Sequence, residues 1–195
     1  MILSLDISTS CVGYSVFGDD ESLLEMNYIK FRSKISLFEK MDFFKSKTSH
    51  LNKMPITRIS IEEPLKRFKG KFSNSGTIAL LNFFNGMISE YLYQIFKIEP
   101  SYYNVKSARS LVFPDIKIEE EGNIKHEIWR KVMEKEPTVN WIYSKKTGKL
   151  ITENYDMSDS YVVGMADIII LKKQLNKLPG RTTVKDKINI FSNKK

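Results

Sequence analysis

Two carboxylates stand where a folded chain tolerates them least. Asp6 falls inside the apolar run ILSLDI, and Glu62 falls in RISIEEP, where Ile59 and Ile61 alternate with Ser60 and Glu62. An unpaired carboxylate inside a core costs on the order of several kcal/mol, so each must be neutralised or bound to a cation. Singly, either could be a solvated strand-end residue; together they say more. Asp156 and Asp159 in DMSDSYVVGMAD add two carboxylates at i and i+3, which a helix places on one face about 5–6 Å apart. Acids there also stabilise a helix start through its dipole. Oxygen donors from two strands and a helix suit magnesium, which keeps positions open for water and substrate phosphate. Two such ions activate a water and stabilise the leaving oxygen of a phosphodiester. Glu63, next to Glu62, leaves the choice of ligand open between them.

The other chemically capable residues are placed elsewhere. His50 and His126 have no Cys or His at ligand spacing, and the single cysteine, Cys11, reads as a small strand residue that has no internal disulfide partner. Asp167 lies too far along its helix from Asp156 to share a site.

The elements that must position the carboxylates follow from periodicity. ILSLDI, VGYSVF and LLEMNYIKF read as an antiparallel meander turning at Ser8–Thr9–Ser10 and at Gly18–Asp19–Asp20. Leu37, Met41 and Phe44 recur at helical spacing, predicting an amphipathic helix on one face of that sheet. RISIEEP then reads as a strand reached by a parallel crossover. Ser73, Asn74 and Ser75 offer caps for a largely buried helix carrying Ile78, Leu81, Ile88 and Leu92, and its Met and Phe residues read as core or dimer interface. A short strand at YYNV precedes KSARSL and the helix HEIWRKVMEK. Residues 141–154, with KKTGK, read as an inserted hairpin or basic loop, and a last helix begins near Asp156. The order β-β-β-α-β-α-β-α-α predicts an α/β fold, a mixed sheet between helices. Residues 1–178 form the expected domain and 179–195 a basic tail.

A chain of 195 residues, 42% hydrophobic, can bury a core without a metal or disulfide framework. It has 31 Lys and Arg against 23 Asp and Glu, a formal +8, and a pI near 9.4, a balance that favours a polyanionic partner, nucleic acid first. The first residues lack a secretion signal and no stretch reaches the length of an apolar span, so the expectation is an intracellular protein with no membrane partner.

ILSLDISTSCVGYSVF, ISIEEP and DMSDSYVVGMAD, in that order, resemble the motifs of the RuvC-like Holliday junction resolvases of the ribonuclease H-like nuclease superfamily; the resemblance covers roughly residues 1–173. It implies a ribonuclease H-like mixed five-stranded sheet flanked by helices. It also implies Asp6, Glu62, Asp156 and Asp159 as catalytic carboxylates and metal ligands for two magnesium ions, with manganese as a substitute. Lys106 in NVKSAR and Lys125 in GNIKHEIWRKVM match the basic residues near the scissile phosphate. In LKRFKGKF, Phe68 matches an aromatic wedge, with Lys66, Arg67, Lys69 and Lys71 beside it on the DNA and Arg109 as a further contact. The implied partners are branched DNA and a second copy of the chain, a homodimer making two symmetric nicks. One departure is Ile7–Ser8 where the family often has Pro-Gly. The competing readings are a related nuclease acting on RNA or RNA–DNA hybrids, one lobe of an actin-like ATPase, and a non-catalytic nucleic-acid binder.

Overall fold

The computed structural model describes residues 1–64, 75–116 and 121–176. Its strands are β1 (Ile2–Ile7), β2 (Cys11–Phe17), β3 (Leu23–Lys30), β4 (Arg58–Glu62) and β5 (Ser101–Tyr103). They form one sheet in the order β3-β2-β1-β4-β5. The first three strands pair antiparallel as a meander, whereas β1, β4 and β5 run parallel. The described helices are α1 (Leu37–Thr48), α2 (Ser75–Phe96), α3 (Val105–Val112), α4 (Glu121–Lys135) and α5 (Glu153–Asn176). This is the mixed five-stranded α/β architecture expected from the sequence.

Period-two alternation on β1 assigns the two faces. Leu3, Leu5 and Ile7 join Ile59, Ile61, Met41, Phe44, Phe84, Ile88 and Leu92 in one core, under α1 and α2. Ile2 joins Phe17, Val112, Ile128, Val162 and Ala166 in the other, under α3, α4 and α5. Ser36 opens α1 with a reciprocal cap: its hydroxyl accepts from the Glu39 amide while the Glu39 carboxylate takes the Ser36 amide.

Helix α5 lies unusually close to the sheet because the facing residues are small. A Cβ on Gly164 would stand 2.3 Å from the Phe17 ring and 2.6 Å from Ser4 Oγ. Ser15 and Ser160 hydroxyls meet at 2.8 Å between the same layers. One turn further on, the buried Asp167 carboxylate accepts from Arg58 at 2.5 and 3.0 Å, from Ser60 Oγ at 2.8 Å and from Tyr103 Oη at 2.5 Å. That network stitches α5 to β4 and β5.

Two sequence expectations need correction. Helix α2 is not largely buried: Ile88 and Leu92 are in the core, but Leu80 and Phe83 are more than half exposed, and Ile78 and Leu81 are only half-buried. Its apolar residues exceed what the sheet below can accept. Helix α5 starts at Glu153, one turn before Asp156, so Asp159 sits in its second turn. Of the two readings of residues 141–154, the structure has the hairpin, with an antiparallel Tyr143–Leu150 bridge and Gly148 at φ +63. The loop with Lys66, Arg67, Phe68, Lys69 and Lys71 and the tail 179–195 lie outside the described residues. Among the described residues no helix is long and apolar enough to cross a membrane.

Candidate metal centre

The parallel pairing of β1 and β4 puts Asp6 and Glu62 at adjoining carboxyl ends, with Leu5 opposite Ile61 one residue earlier. Across the antiparallel pair, Asp6 faces Gly13. That glycine is a close approach, not a turn: a Cβ there would be 2.1 Å from the Asp156 carbonyl oxygen and 2.7 Å from the Met157 nitrogen. The missing side chain therefore lets the first turns of α5 descend onto β2, and it delivers Asp159 to the two strand carboxylates. One oxygen from each of Asp6, Glu62 and Asp159 falls within 4.8 Å of the other two. Glu62, not Glu63, is the residue that joins them. Asp156 stands at the edge of this cluster, where its carboxylate accepts from the Cys11 thiol.

Electrostatics show how little this arrangement suits bare carboxylates. Burial, then Glu62, Asp159 and Asp156, pushes Asp6 well above the usual carboxylate range. Burial and then Asp159 raise Glu62 to about 7. Burial also raises Asp156, against the Cys11 hydrogen bond and Lys125. Such groups either hold protons or share a cation. The donors are all carboxylate oxygens, half-buried to buried and converging, and this set fits a hard divalent cation.

Two cations already border the cluster. Arg109 grips Asp159 from α3, with Nε 3.0 Å from Oδ1 and Nη2 2.7 Å from both oxygens. Lys125 Nζ on α4 lies 3.8 Å from Asp159 Oδ2 and is half exposed. Arg109, expected beside the DNA, is 8% exposed and bonded inward to the nearly buried Asp159, which requires a counter-charge. Lys106 is exposed on the first turn of α3, one turn before Arg109.

Sequence reasoning missed the Arg109–Asp159 pair and the Asp167 network. The second had a signal, since Asp167 lies two helical turns beyond Asp159 and so on the same sheet-facing side of α5. The first had none, because pairing between α3 and α5 is fixed only by packing.

The architecture is that of the RuvC-like resolvases. The structure is similar to RuvC of Thermus thermophilus in complex with a Holliday junction substrate, with a TM-score of 0.56 and 9% identity over 87% of this chain and 94% of that one. A second Thermus thermophilus RuvC structure gives a TM-score of 0.57 at 8% identity, over 89% and 96%. The yeast mitochondrial Holliday junction resolvase Ydc2 gives 0.53 at 12% identity, over 85% and 76%. No protein-family model matches the chain, and no curated relative matches it by sequence. At these identities the likeness establishes the fold.

Proposed function

We propose that this chain is a Holliday junction resolvase, a metal-dependent endonuclease that cuts four-way DNA junctions with paired, symmetric nicks. The observation that carries this reading is the meeting of Asp6, Glu62 and Asp159 at the carboxyl ends of β1 and β4, in the fold of the RuvC-like resolvases. Asp6, Glu62 and Asp159, with Asp156 beside them, would hold two magnesium or manganese ions. Bound there, such ions supply an activated water and neutralise the leaving oxygen.

The chain's own residues do the rest. Arg109 holds Asp159 through both of its oxygens and so fixes the orientation of this carboxylate beside Asp6 and Glu62. Lys125, half exposed and 3.8 Å from Asp159, is free to shift toward a phosphate arriving above the carboxylates and to steady its developing charge. Lys106, exposed on α3, extends that basic flank. Phe68 and its neighbours Lys66, Arg67, Lys69 and Lys71 serve as the junction wedge and its phosphate anchors. Two copies are needed for two nicks, and the exposed Leu80 and Phe83 on α2 give a second copy an apolar surface to cover.

The test is incubation of the protein with a synthetic junction, a linear duplex and an RNA–DNA hybrid, with magnesium or with chelator. Junction cleavage in magnesium, abolished by Asp6→Asn while junction binding persists in calcium, supports the proposal. Preferential cleavage of the hybrid moves the protein to the ribonuclease reading, and Asp6→Asn cutting at the wild-type rate removes the metal centre.

A further inference from the structure

Lys40 is a buried lysine that meets no carboxylate among the described residues. It is 8% exposed, and its Nζ donates a single hydrogen bond, to the Thr9 carbonyl oxygen at 2.7 Å. A lysine carries three donors and is almost never buried unless paired. Among the described residues no carboxylate lies within ion-pair reach of it.

The ammonium lines a cavity of about 470 Å³ shared with Ser10, Lys30, Arg32, Ser33 and Asp156. That volume lies within the range of small-molecule sites, about 300–1,000 Å³. Asp156 belongs both to this cavity and to the carboxylate cluster, so the two spaces adjoin. Lys30 is committed to Glu153, which neutralises both. Arg32 is exposed and makes no hydrogen bond or ion pair with any described residue. The cavity therefore presents two cations unmatched among the described residues, and several hydroxyls, beside two acids, Glu153, which Lys30 already pairs, and Asp156 at the edge of the carboxylate cluster.

Its floor is also rigid. Ser8 Oγ donates to the Cys11 carbonyl at 2.8 Å and accepts from the Cys11 amide at 3.0 Å, and the Phe31 amide bonds the Ser10 carbonyl at 2.9 Å. These bonds tie the β1–β2 turn to the end of β3. Arg109 and Lys125 border the carboxylates from α3 and α4, whereas this cavity borders them from the β1–β2 turn and the start of α1. A strand crossing the carboxylates would run from one basic flank to the other.

Building on the resolvase reading, we propose that this cavity is a phosphate subsite for the cut strand, in which Lys40 and Arg32 hold the phosphodiester next to the one being hydrolysed. A charge-assisted contact of this kind is expected to be worth roughly tenfold or more in affinity or rate.

The experiment pairs Lys40→Met and Arg32→Gln with junctions in which single phosphates around the cut are replaced by neutral methylphosphonates. Lys40→Met exchanges a buried charge for an apolar chain of similar length, so its melting temperature should match or exceed wild type, and Lys172→Ala at the opposite end of the sheet controls for net charge. The expected result is a tenfold or greater slowing of single-turnover cutting in each variant, and the same slowing when one phosphate adjacent to the cut is neutralised for wild type. In the variants that neutralisation should cost nothing further. Slowing that multiplies at every position, or wild-type rates in both variants, overturns the subsite. If wild type cuts no nucleic acid, the resolvase reading fails, and the cavity is judged on binding alone. A 5′-phosphorylated thymidine dinucleotide should then shift the amide signals of Thr9, Ser10, Arg32 and Ser33 in wild type but not in Lys40→Met. Shifts elsewhere, or displacement by an equal concentration of inorganic phosphate, overturn the assignment to a strand.

Discussion

Replacing Gly13 by alanine tests whether one missing side chain assembles the site. Ordinary van der Waals contact begins near 3.4 Å, and the new Cβ would stand 2.1 Å from the Asp156 carbonyl oxygen and 2.3 Å from its carbon. Both opposing atoms are backbone, so no side-chain rotation relieves the clash. Either β2 or the first turns of α5 must retreat by more than an ångström. The cluster tolerates little of that, since its oxygens already span up to 4.8 Å. Overpacking of this kind costs about 1–3 kcal/mol. For a domain of this size that amounts to a fall in melting temperature of about 2–12 °C. A displacement of about 1 Å at catalytic groups costs about a hundredfold in rate. Single-turnover cleavage of a junction in magnesium, alongside a thermal melt, measures both. A Gly13→Ala protein that melts and cuts as wild type would show that α5 does not rest on β2 as described.

Further consequences concern charge. Asp167→Ala leaves Arg58 beside a vacated pocket; with Arg58 still 31% exposed, the loss should fall near the low end of about 3–5 kcal/mol for breaking a buried pair, and replacing both partners by apolar residues should recover much of it in a denaturant titration. Glu62 is raised from 4.5 to about 7, so between those values the folded metal-free protein keeps a proton that the unfolded chain has lost. Its stabilising contribution is full below pH 4.5 and lost as pH rises to 7. In chelator, the melting temperature of Glu62→Gln relative to wild type should therefore climb across that window, and a flat difference would contradict the burial of this carboxylate. Arg109→Met should weaken magnesium binding, measured by calorimetry, by releasing Asp159 from its orientation; unchanged affinity would make the pair purely structural.

Alternation and turn chemistry make the sheet legible in the sequence. ILSLDI announces a strand with Leu3, Leu5 and Ile7 on one side and Ser4 and Asp6 on the other, and the structure keeps that division between two cores. The parallel crossover to β4 followed from a helix standing between two strands. What periodicity could not give was how much of an apolar helix finds a partner. The sequence of α2 is apolar enough for burial all round, yet its fully buried residues, Phe84 to Leu92, begin only in its third turn. The start of α5 was misplaced by one turn because Glu153 carries no apolar signal, though Lys30 makes it a fixed part of the helix.

The carboxylates were legible for a different reason, namely that each violates the pattern around it. Asp6 interrupts an apolar strand, Glu62 ends one, and Asp159 lies 2% exposed in a helix whose neighbours are core residues. A chain that places acids there must also place cations near them or leave room for an ion, and this one does both. Arg109 and Lys125 border Asp159, while among the described residues no cation hydrogen-bonds Asp6 or Glu62, and burial raises the pKa of both. The division separates the structural charge from the chemical one. Arg109 tethers Asp159 on α5, and on the proposed function the converging oxygens of Asp6 and Glu62, at the ends of β1 and β4, are where a divalent ion would bind. The reverse pattern holds at Lys40, a cation with no acid to answer it. By the same reasoning that makes Asp6 and Glu62 a place for a cation, Lys40 marks a place for an anion.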